Sequence, residues 1–372
     1  MKVLLVSPLD PRVPIQFKHL MGGESTYTKM LLRHPPQSVT FVHFTEALDL
    51  KLITYHPLYW ILLYLQKARL LPPGPRAYVF RLHDNFDLVY AHAHPIKISG
   101  NYVPLIISDS SSNTLFLAYY LGLPRVICAL WQFSKKIIYT LTGTIDGEVN
   151  THLAADNFVF SEWARIKKQE LGIKNTKVIY PGLWVPNLKP QQKVRRKEIK
   201  ILFVGMWFER KGGRILLAAF RRLLVKKYPI HLTILGQLPP DIILDAGMPI
   251  VHKNFVSYPK LLHFYQTHDI LVHVPLVIEG YGMVVPEAMA YMVAPVVTKI
   301  CVLPELVQDG VSGLVVRPGS VTELAKALER LINDPQLLKR LGRGARSRFV
   351  DKFSLPVFQQ KLVGIFDEVL QQ

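Results

Sequence analysis

Cys128 and Cys301 are the only two cysteines among the 372 residues of this chain. Two are too few for a disulfide framework or a Cys₂His₂ zinc module. Both lie in apolar runs, which predicts buried, inert thiols. Long apolar runs are missing as well. The stretch Val3–Val6 is broken by Pro8, Asp10 and Pro11, whereas a secretory core needs about 7–15 apolar residues. The window Leu115–Trp131 is interrupted by Gly122, Pro124 and Arg125, whereas a spanning helix needs about 20 nearly uncharged residues. Neither a cleaved signal nor a membrane span is expected. The Asp-x-Asp spacing is absent, the closest pair being Asp84 and Asp87, so no carboxylate cradle for a divalent metal is indicated.

Acidic residues are scarce. The chain has 27 Asp+Glu against 45 Lys+Arg, a net charge of +18. That excess admits nucleic acid, an anionic membrane or a phosphorylated substrate as partner. It is spread over both halves, +7 in residues 1–185 and +11 in residues 186–372, so it is no appended basic arm. Hydrophobic residues at 49 % and charged residues at 19 % exclude a disordered chain. At about 150 residues per domain the length predicts two to three domains.

Short β-rich apolar runs alternate with helical stretches. Candidate strands are Lys2–Val6, Val39–His43, Leu88–Tyr90, Pro104–Ile107, Arg125–Ala129, Asn157–Phe160 and Lys177–Tyr180. A Pro-containing, charged stretch, Pro186–Lys197, reads as a linker. A second series follows: Lys200–Val204, His231–Leu235, Pro249–His252, Ile270–His273, Pro295–Val297 and Gly313–Val316. Strands alternating with helices imply parallel βαβ units, and two series imply two doubly wound α/β domains. Ligands in such sheets bind beyond the carboxyl ends of the strands. One further segment, Tyr55–Arg76, mixes aromatic, aliphatic and basic residues on an expected helix. It fits either a core helix or one lying in a membrane interface.

Two motifs carry chemistry. In the first, the strand Lys200–Val204 ends at Gly205, followed by Met206, then Arg210, Lys211, Gly212 and Gly213 at the expected start of a helix. Glycine lets backbone approach a ligand, a helix N-terminus attracts anions, and two cations beside it suit a diphosphate. In the second, Glu279-Gly280-Tyr281-Gly282-Met283-Val284-Val285-Pro286-Glu287 places two carboxylates eight positions apart. Pro286 is expected to open a helix with Glu287 in its first turn. Solvated side chains and a dipole-complementing acid would give the same pattern.

Together, Phe203-Val204-Gly205, Arg210-Lys211-Gly212, Glu279-x₇-Glu287 and Leu303-Pro304-Glu305…Gly310…Gly313-Leu314 resemble glycosyltransferase family 4, retaining enzymes of the GT-B fold. The resemblance is strong over residues 200–353. It is looser before that, through Met21-Gly22-Gly23-Glu24 and Asp87-Leu88-Val89-Tyr90-Ala91-His92. It implies two Rossmann-like domains facing across a cleft. Residues 1–188 are expected on the acceptor side, 198–354 on the donor side, and 355–372 as a helix crossing back to the first domain.

The resemblance also implies roles. Lys211 corresponds to the lysine on the donor diphosphate, Glu279 to the carboxylate near the transferred sugar, and His92 to a histidine near that sugar. Glu287 corresponds to the residue that accepts bonds from the ribose hydroxyls. Gly22, Gly23, Gly205, Tyr281, Gly282, Met283 and Val284 are expected to approach the donor through their backbone. Many family members have arginine directly after the first glycine. Here Met206 stands there, and Arg210 is assigned the missing positive charge.

The resemblance implies front-face transfer from a nucleotide-diphosphate sugar without metal or other cofactor. The expected acceptor is a lipid-linked sugar or saccharide hydroxyl, the expected location cytoplasmic, peripheral at the inner face of an anionic membrane. The alternatives are a non-catalytic nucleotide-sugar binder, a phosphorylase of similar architecture and a charge-driven nucleic-acid binder. The last lacks clustered cations interleaved with aromatics, so no nucleic acid is expected.

Overall fold

The computed structural model describes residues 1–7, 23–44, 46, 50–52, 78–81, 85–92, 96–99, 103–109, 125–142, 154–170, 173, 175–186, 198–245 and 247–372. Gly22, the segment Tyr55–Arg76 and linker residues 187–197 lie outside the described residues. The chain divides into two compact units, Met1–Gly182 with Leu355–Gln372, and Leu183–Ser354. The division at Gly182 precedes the limits 188 and 198 read from the linker.

In the first unit, β1 (Lys2–Val6), β2 (Thr40–His43), β5 (Leu88–His92), β7 (Leu105–Asp109), β8 (Asp156–Val159) and β9 (Lys177–Val178) form one sheet. Its order is β2-β1-β5-β7-β8-β9, and each pairing is parallel. Strands β1, β5 and β7 are almost wholly buried, as expected of a sheet covered on both faces. β3 (Leu50–Leu52), β4 (Tyr78–Arg81) and β6 (Ile96–Ser99) form a separate small sheet unforeseen from the sequence.

The first unit's helices are α1 (Gly23–Arg33), α2 (Arg125–Thr142), α3 (Glu162–Glu170) and the C-terminal helix α10 (Leu355–Leu370). Ser161 caps α3, accepting from the Ala164 amide at 3.0 Å. Helix α10 packs in this unit. Phe366 lies against Phe41 and Tyr90, and Gln359 Nε2 donates to the His34 carbonyl at 2.9 Å.

The strand expected at Arg125–Ala129 is instead the start of α2. Eighteen residues run without glycine or proline, and the apolar positions 126, 130, 133, 137 and 141 recur at helical spacing. The short apolar run at its start was too brief to distinguish a buried strand from a helix.

The second unit is built from β10 (Ile199–Val204), β11 (Ile230–Leu235), β12 (Ile250–Lys253), β13 (Ile270–His273), β14 (Ala294–Thr298) and β15 (Leu314–Val316). All pair in parallel in the order β12-β11-β10-β13-β14-β15. This is the Rossmann strand order, which reverses direction between β10 and β13. Helices α4 (Gly213–Val225), α5 (Tyr258–Thr267), α6 (Val284–Ala290), α7 (Leu303–Leu306), α8 (Val321–Asn333) and α9 (Pro335–Lys352) complete the unit. Its core is formed by the inner strands with Leu216, Phe220, Leu324, Leu328 and Leu341.

Two arginines of α9 bond to backbone of neighbouring helices. Arg346 donates to the Ala290 carbonyl at the end of α6. Arg348 donates to the carbonyls of Glu305 and Leu306 at 2.8 Å. These cations satisfy carbonyls at helix C-termini, where positive charge is favoured. Cys301 is half-buried rather than buried.

Candidate active site

The reversal of strand order places the end of β10 beside the end of β13. Both chemistry-bearing motifs begin there. After β10 the chain makes a turn, with the Lys211 amide donating to the Trp207 carbonyl at 2.9 Å. It enters α4 through Gly212, at φ 80°. A Cβ at Gly212 would stand 2.0 Å from the Val274 carbonyl oxygen, so only glycine admits this approach of the turn to the end of β13. The Leu276 amide donates to the Arg210 carbonyl at 3.0 Å. Backbone packing thus fixes both cations against the loop that follows β13.

That loop brings Glu279 back onto them. Lys211 Nζ donates to Oε2 of Glu279. Arg210 Nη1 lies 3.4 Å from the same oxygen and donates to the Ile278 carbonyl at 3.0 Å. Glu279 is buried, and burial alone would raise its pKa. Lys211 foremost, then His273 and Arg210, hold it far below the usual carboxylate range. Burial pushes the Lys211 pKa down, while the Glu279 carboxylate opposes that shift. The result is a buried ion cluster with one more cation than anion, ready to receive a negatively charged group.

His273, the last residue of β13, was not singled out from the sequence. It is fully buried, and its Nε2 stands 3.6 Å from Glu279 Oε2. Neither ring nitrogen has a hydrogen-bond partner within bonding distance. Burial lowers its pKa, so the ring is neutral near pH 7. Its strand-end position beside the reversal was the available signal. Gly282, at φ 71°, lies so close that a Cβ would stand 3.3 Å from that Nε2.

The second carboxylate has different surroundings. Helix α6 starts at Val284, two residues before the expected Pro286, and still carries Glu287 in its first turn. Gly282 and Met283 therefore remain as the approach to the helix, whereas Val284 is its first residue. Tyr265 donates to Glu287 Oε2 at 2.8 Å, and the Tyr258 hydroxyl also favours the charged form of this carboxyl. Burial nevertheless pushes the Glu287 pKa up to about 7, against the lowering effect of both tyrosine hydroxyls. Tyr258 and Tyr265 were also missed. They stand seven residues apart on one face of α5, a pattern shared with ordinary core aromatics. Tyr281 is buried, and Met206 is exposed.

In the first unit, Gly23 opens α1. His92 ends β5 and is fully buried. Its Nδ1 lies 2.8 Å from Ser108 Oγ. Ser108 Oγ lies 2.6 Å from the Tyr90 hydroxyl, which lies 2.7 Å from that of Tyr27. Phe160 stacks on the imidazole, with centroids 5.2 Å apart. Strands β1 and β5 flank this unit's own reversal of order, so Gly23 and His92 occupy the corresponding position in their sheet. Among the described residues, no group of three or more His, Cys, Asp and Glu side chains is gathered that could hold a metal ion.

Two parallel Rossmann-type sheets in one chain define the GT-B fold, and solved structures agree over nearly the whole length. Sucrose-phosphate synthase from Thermosynechococcus elongatus superposes with a TM-score of 0.66 at 16 % identity, covering 100 % of this chain and 99 % of that one. HepE from Anabaena, in complex with UDP and glucose, gives 0.60 at 15 % identity, covering 99 % and 100 %.

The sequence likeness is more local. Residues 185–348, essentially the second unit, match the family "Glycosyl transferases group 1". The capsular polysaccharide biosynthesis glycosyltransferase CapM of Staphylococcus aureus is 27 % identical over 188 residues, 48 % of this chain and 49 % of that protein. The MMP alpha-(1->4)-mannosyltransferase of Mycolicibacterium hassiacum is 30 % identical over 168 residues, 43 % and 40 %. The chain thus spans about half the length of these curated relatives.

Proposed function

We propose that the chain is a group 1 glycosyltransferase of the family 4 type, moving a sugar with retention from a nucleotide-diphosphate donor to an acceptor hydroxyl. The observation that carries this reading is the convergence of Lys211 and Arg210 on Glu279 at the strand-order reversal of the unit that matches the family. In the reaction, the bond between the sugar's anomeric carbon and the diphosphate breaks. The acceptor oxygen takes its place, and the acceptor proton passes to the leaving phosphate. Negative charge grows on the diphosphate as the bond breaks. Lys211 and Arg210, preorganised and largely out of water, stabilise it where it develops. Two such cations suffice for a metal-independent mechanism.

Glu279 holds Lys211 in place and faces the transferred sugar. Glu287 accepts bonds from the ribose hydroxyls, with Tyr265 and Tyr258 steadying the carboxyl. Gly205, Tyr281, Gly282, Met283 and Val284 form the backbone approach to the donor. The family resemblance gives His92, Gly22 and Gly23 of the first unit a part in donor handling. It leaves acceptor recognition to that less family-typical unit. UDP and glucose in HepE and the capsular role in CapM's name favour a UDP-sugar and a cell-surface glycan or its lipid-linked precursor.

Thermal shift with UDP, GDP and ADP and their sugars, with and without EDTA, tests the donor class. One base should stabilise the protein independently of EDTA. Stabilisation by none of them, or only with added divalent metal, would overturn the reading.

A further inference from the structure

A recess of about 360 Å³ opens on the second unit between α5 and the strands β10, β11 and β12. The strand register builds one wall. Lys200 and His231, the second residues of β10 and β11, are paired, as are Thr233 of β11 and Val251 of β12. Paired residues share a face of the sheet, and so do residues two apart on one strand. All four side chains therefore stand on the same side. The other wall is one face of α5 and the residue after it, with His263, Phe264 and His268. The Gly205 turn is about 16 Å further along β10 from Lys200, so the recess lies toward the edge of the sheet opposite Lys211 and Glu279. We propose that this recess binds a small phosphate monoester, at a site separate from the donor site.

Charge favours an anion. Among the described residues that line the recess, Lys200, His231, His263 and His268 are basic and none is acidic. The acids nearby stand outside it. Asp269 accepts from the Lys200 amide at 2.9 Å, and Glu198, exposed just before β10, acts on His231 through its charge. With an ammonium among the imidazoles, and no metal-holding group of side chains among the described residues, the lining suits an anion and not a cation.

Hydrogen bonding leaves donors for that anion. His268 is committed: its Nδ1 donates to the Phe264 carbonyl at 2.9 Å and its Nε2 accepts from Thr233 Oγ1 at 2.8 Å. His231 is not. Burial and the Lys200 charge lower its pKa, so its ring is neutral near pH 7. Its Nδ1 is buried without a hydrogen-bond partner. A buried N–H with no acceptor is costly, so the proton belongs on Nε2, which is left to donate to a ligand.

Size and lining select the class. The volume is that of a small-metabolite site. Lys200, His231 and the exposed His263 offer donors to an anion with several oxygens, and lysine is a common phosphate binder. Phe264 and Val251 offer apolar surface to the organic part.

The test is NMR of the full chain with its histidines labelled at Cε1 and titrated with glycerol 2-phosphate, glycerol being the neutral control. His231→Gln identifies the His231 signal. The phosphate monoester should shift the His231 and His263 signals saturably, and glycerol should not. A bound dianion offsets the Lys200 charge, so the midpoint of the His231 titration should move upward. Lys200→Met should weaken binding on the order of tenfold or more. His263→Ala, a change at an exposed position, should weaken it by a smaller factor, and replaces Lys200→Met if that chain does not fold. Lys211→Ala should leave the affinity unchanged.

Three results would overturn the proposal. One is no saturable shift of the His231 signal. Another is equal affinity in the parent, Lys200→Met and His263→Ala. The third is loss of the shift in Lys211→Ala, which would put the phosphate in the donor cluster. The proposal does not rest on the donor reading, whose own test, thermal shift by nucleotide sugars, should give the same result in Lys200→Met and the parent.

Discussion

His273 Nε2 stands 3.6 Å from Glu279 Oε2, the same oxygen to which Lys211 donates. A neutral imidazole at the end of β13 and a cation from the turn after β10 thus bear on one carboxylate atom. Removing the imidazole should let the Glu279 pKa rise while Lys211 stays in place. His273→Leu is expected to retain the fold, because it replaces a buried ring whose nitrogens are unsatisfied with an apolar group. The acidic limb of the pH profile of transfer should move upward. His273→Gln, which keeps a donor, should restore part of the shift. An unmoved acidic limb in His273→Leu would make the histidine a packing residue only.

Lys211→Ala removes the best-placed cation from the leaving group and leaves Glu279 buried with Arg210 at 3.4 Å as its closest remaining cation. By comparison with loss of one charge-stabilising donor, kcat should fall about 10²- to 10³-fold, roughly 3–4 kcal/mol of barrier. Steady-state kinetics with the donor found by thermal shift measures this. Unchanged turnover would remove Lys211 from the mechanism.

Glu287 has a pKa pushed up to about 7 from an ordinary 4.5. In the folded chain it keeps its proton over a range in which the unfolded chain has lost it. The stability this contributes is full below about pH 4.5 and is lost as pH rises through about 7. At pH 8 the ionised, buried carboxylate should cost on the order of 3 kcal/mol. Glu287→Gln should therefore melt at a higher temperature than the parent at pH 8 and close to it at pH 4. Nucleotide affinity should run the other way. A carboxylate accepts both ribose hydroxyls, so binding should tighten as pH rises through about 7 and lose this dependence in Glu287→Gln. Titration calorimetry across that range checks it.

Ser108 joins His92 to Tyr90 and, through Tyr90, to Tyr27. Ser108→Ala removes the shared hydroxyl and leaves buried polar atoms short of a partner. It should destabilise the first unit by about 1–3 kcal/mol, visible as a lowered melting temperature. If His92 takes part in transfer, kcat should fall as well, since its imidazole loses the bond that sets its orientation.

Much of the second unit was readable from its residues. Strand β13 at Ile270–His273 has the limits expected, and β10, β11, β12, β14 and β15 differ by one or two residues at their ends. Uninterrupted apolar runs bounded by turns leave buried parallel strands little choice. The first unit was read less well. A short apolar run from Arg125 to Ala129 suits a strand and a helix equally, and the longer spacing through Leu141 decides for helix α2. The small β3-β4-β6 sheet has strands of only 3–4 residues, below what periodicity can register.

The candidate site divides in the same manner. Arg210, Lys211, Glu279 and Glu287 were singled out because two cations beside a glycine turn suit an anion and because the spacing of the two motifs resembles glycosyltransferase family 4. Residue types alone left a solvated Glu279 and a dipole-complementing Glu287 open. That Lys211 and Arg210 meet on a single oxygen of Glu279 depends on β10 and β13 lying side by side, a fact of sheet order. Likewise, Glu287 owes its raised pKa to burial, which outweighs the lowering effect of Tyr265 and Tyr258, and His273 owes its place to the end of a buried strand. The linear chain states which groups are present and how far apart they stand along the backbone. Only the packed structure decides which of them share an atom and how much water each keeps, and those two quantities set their charge and chemistry.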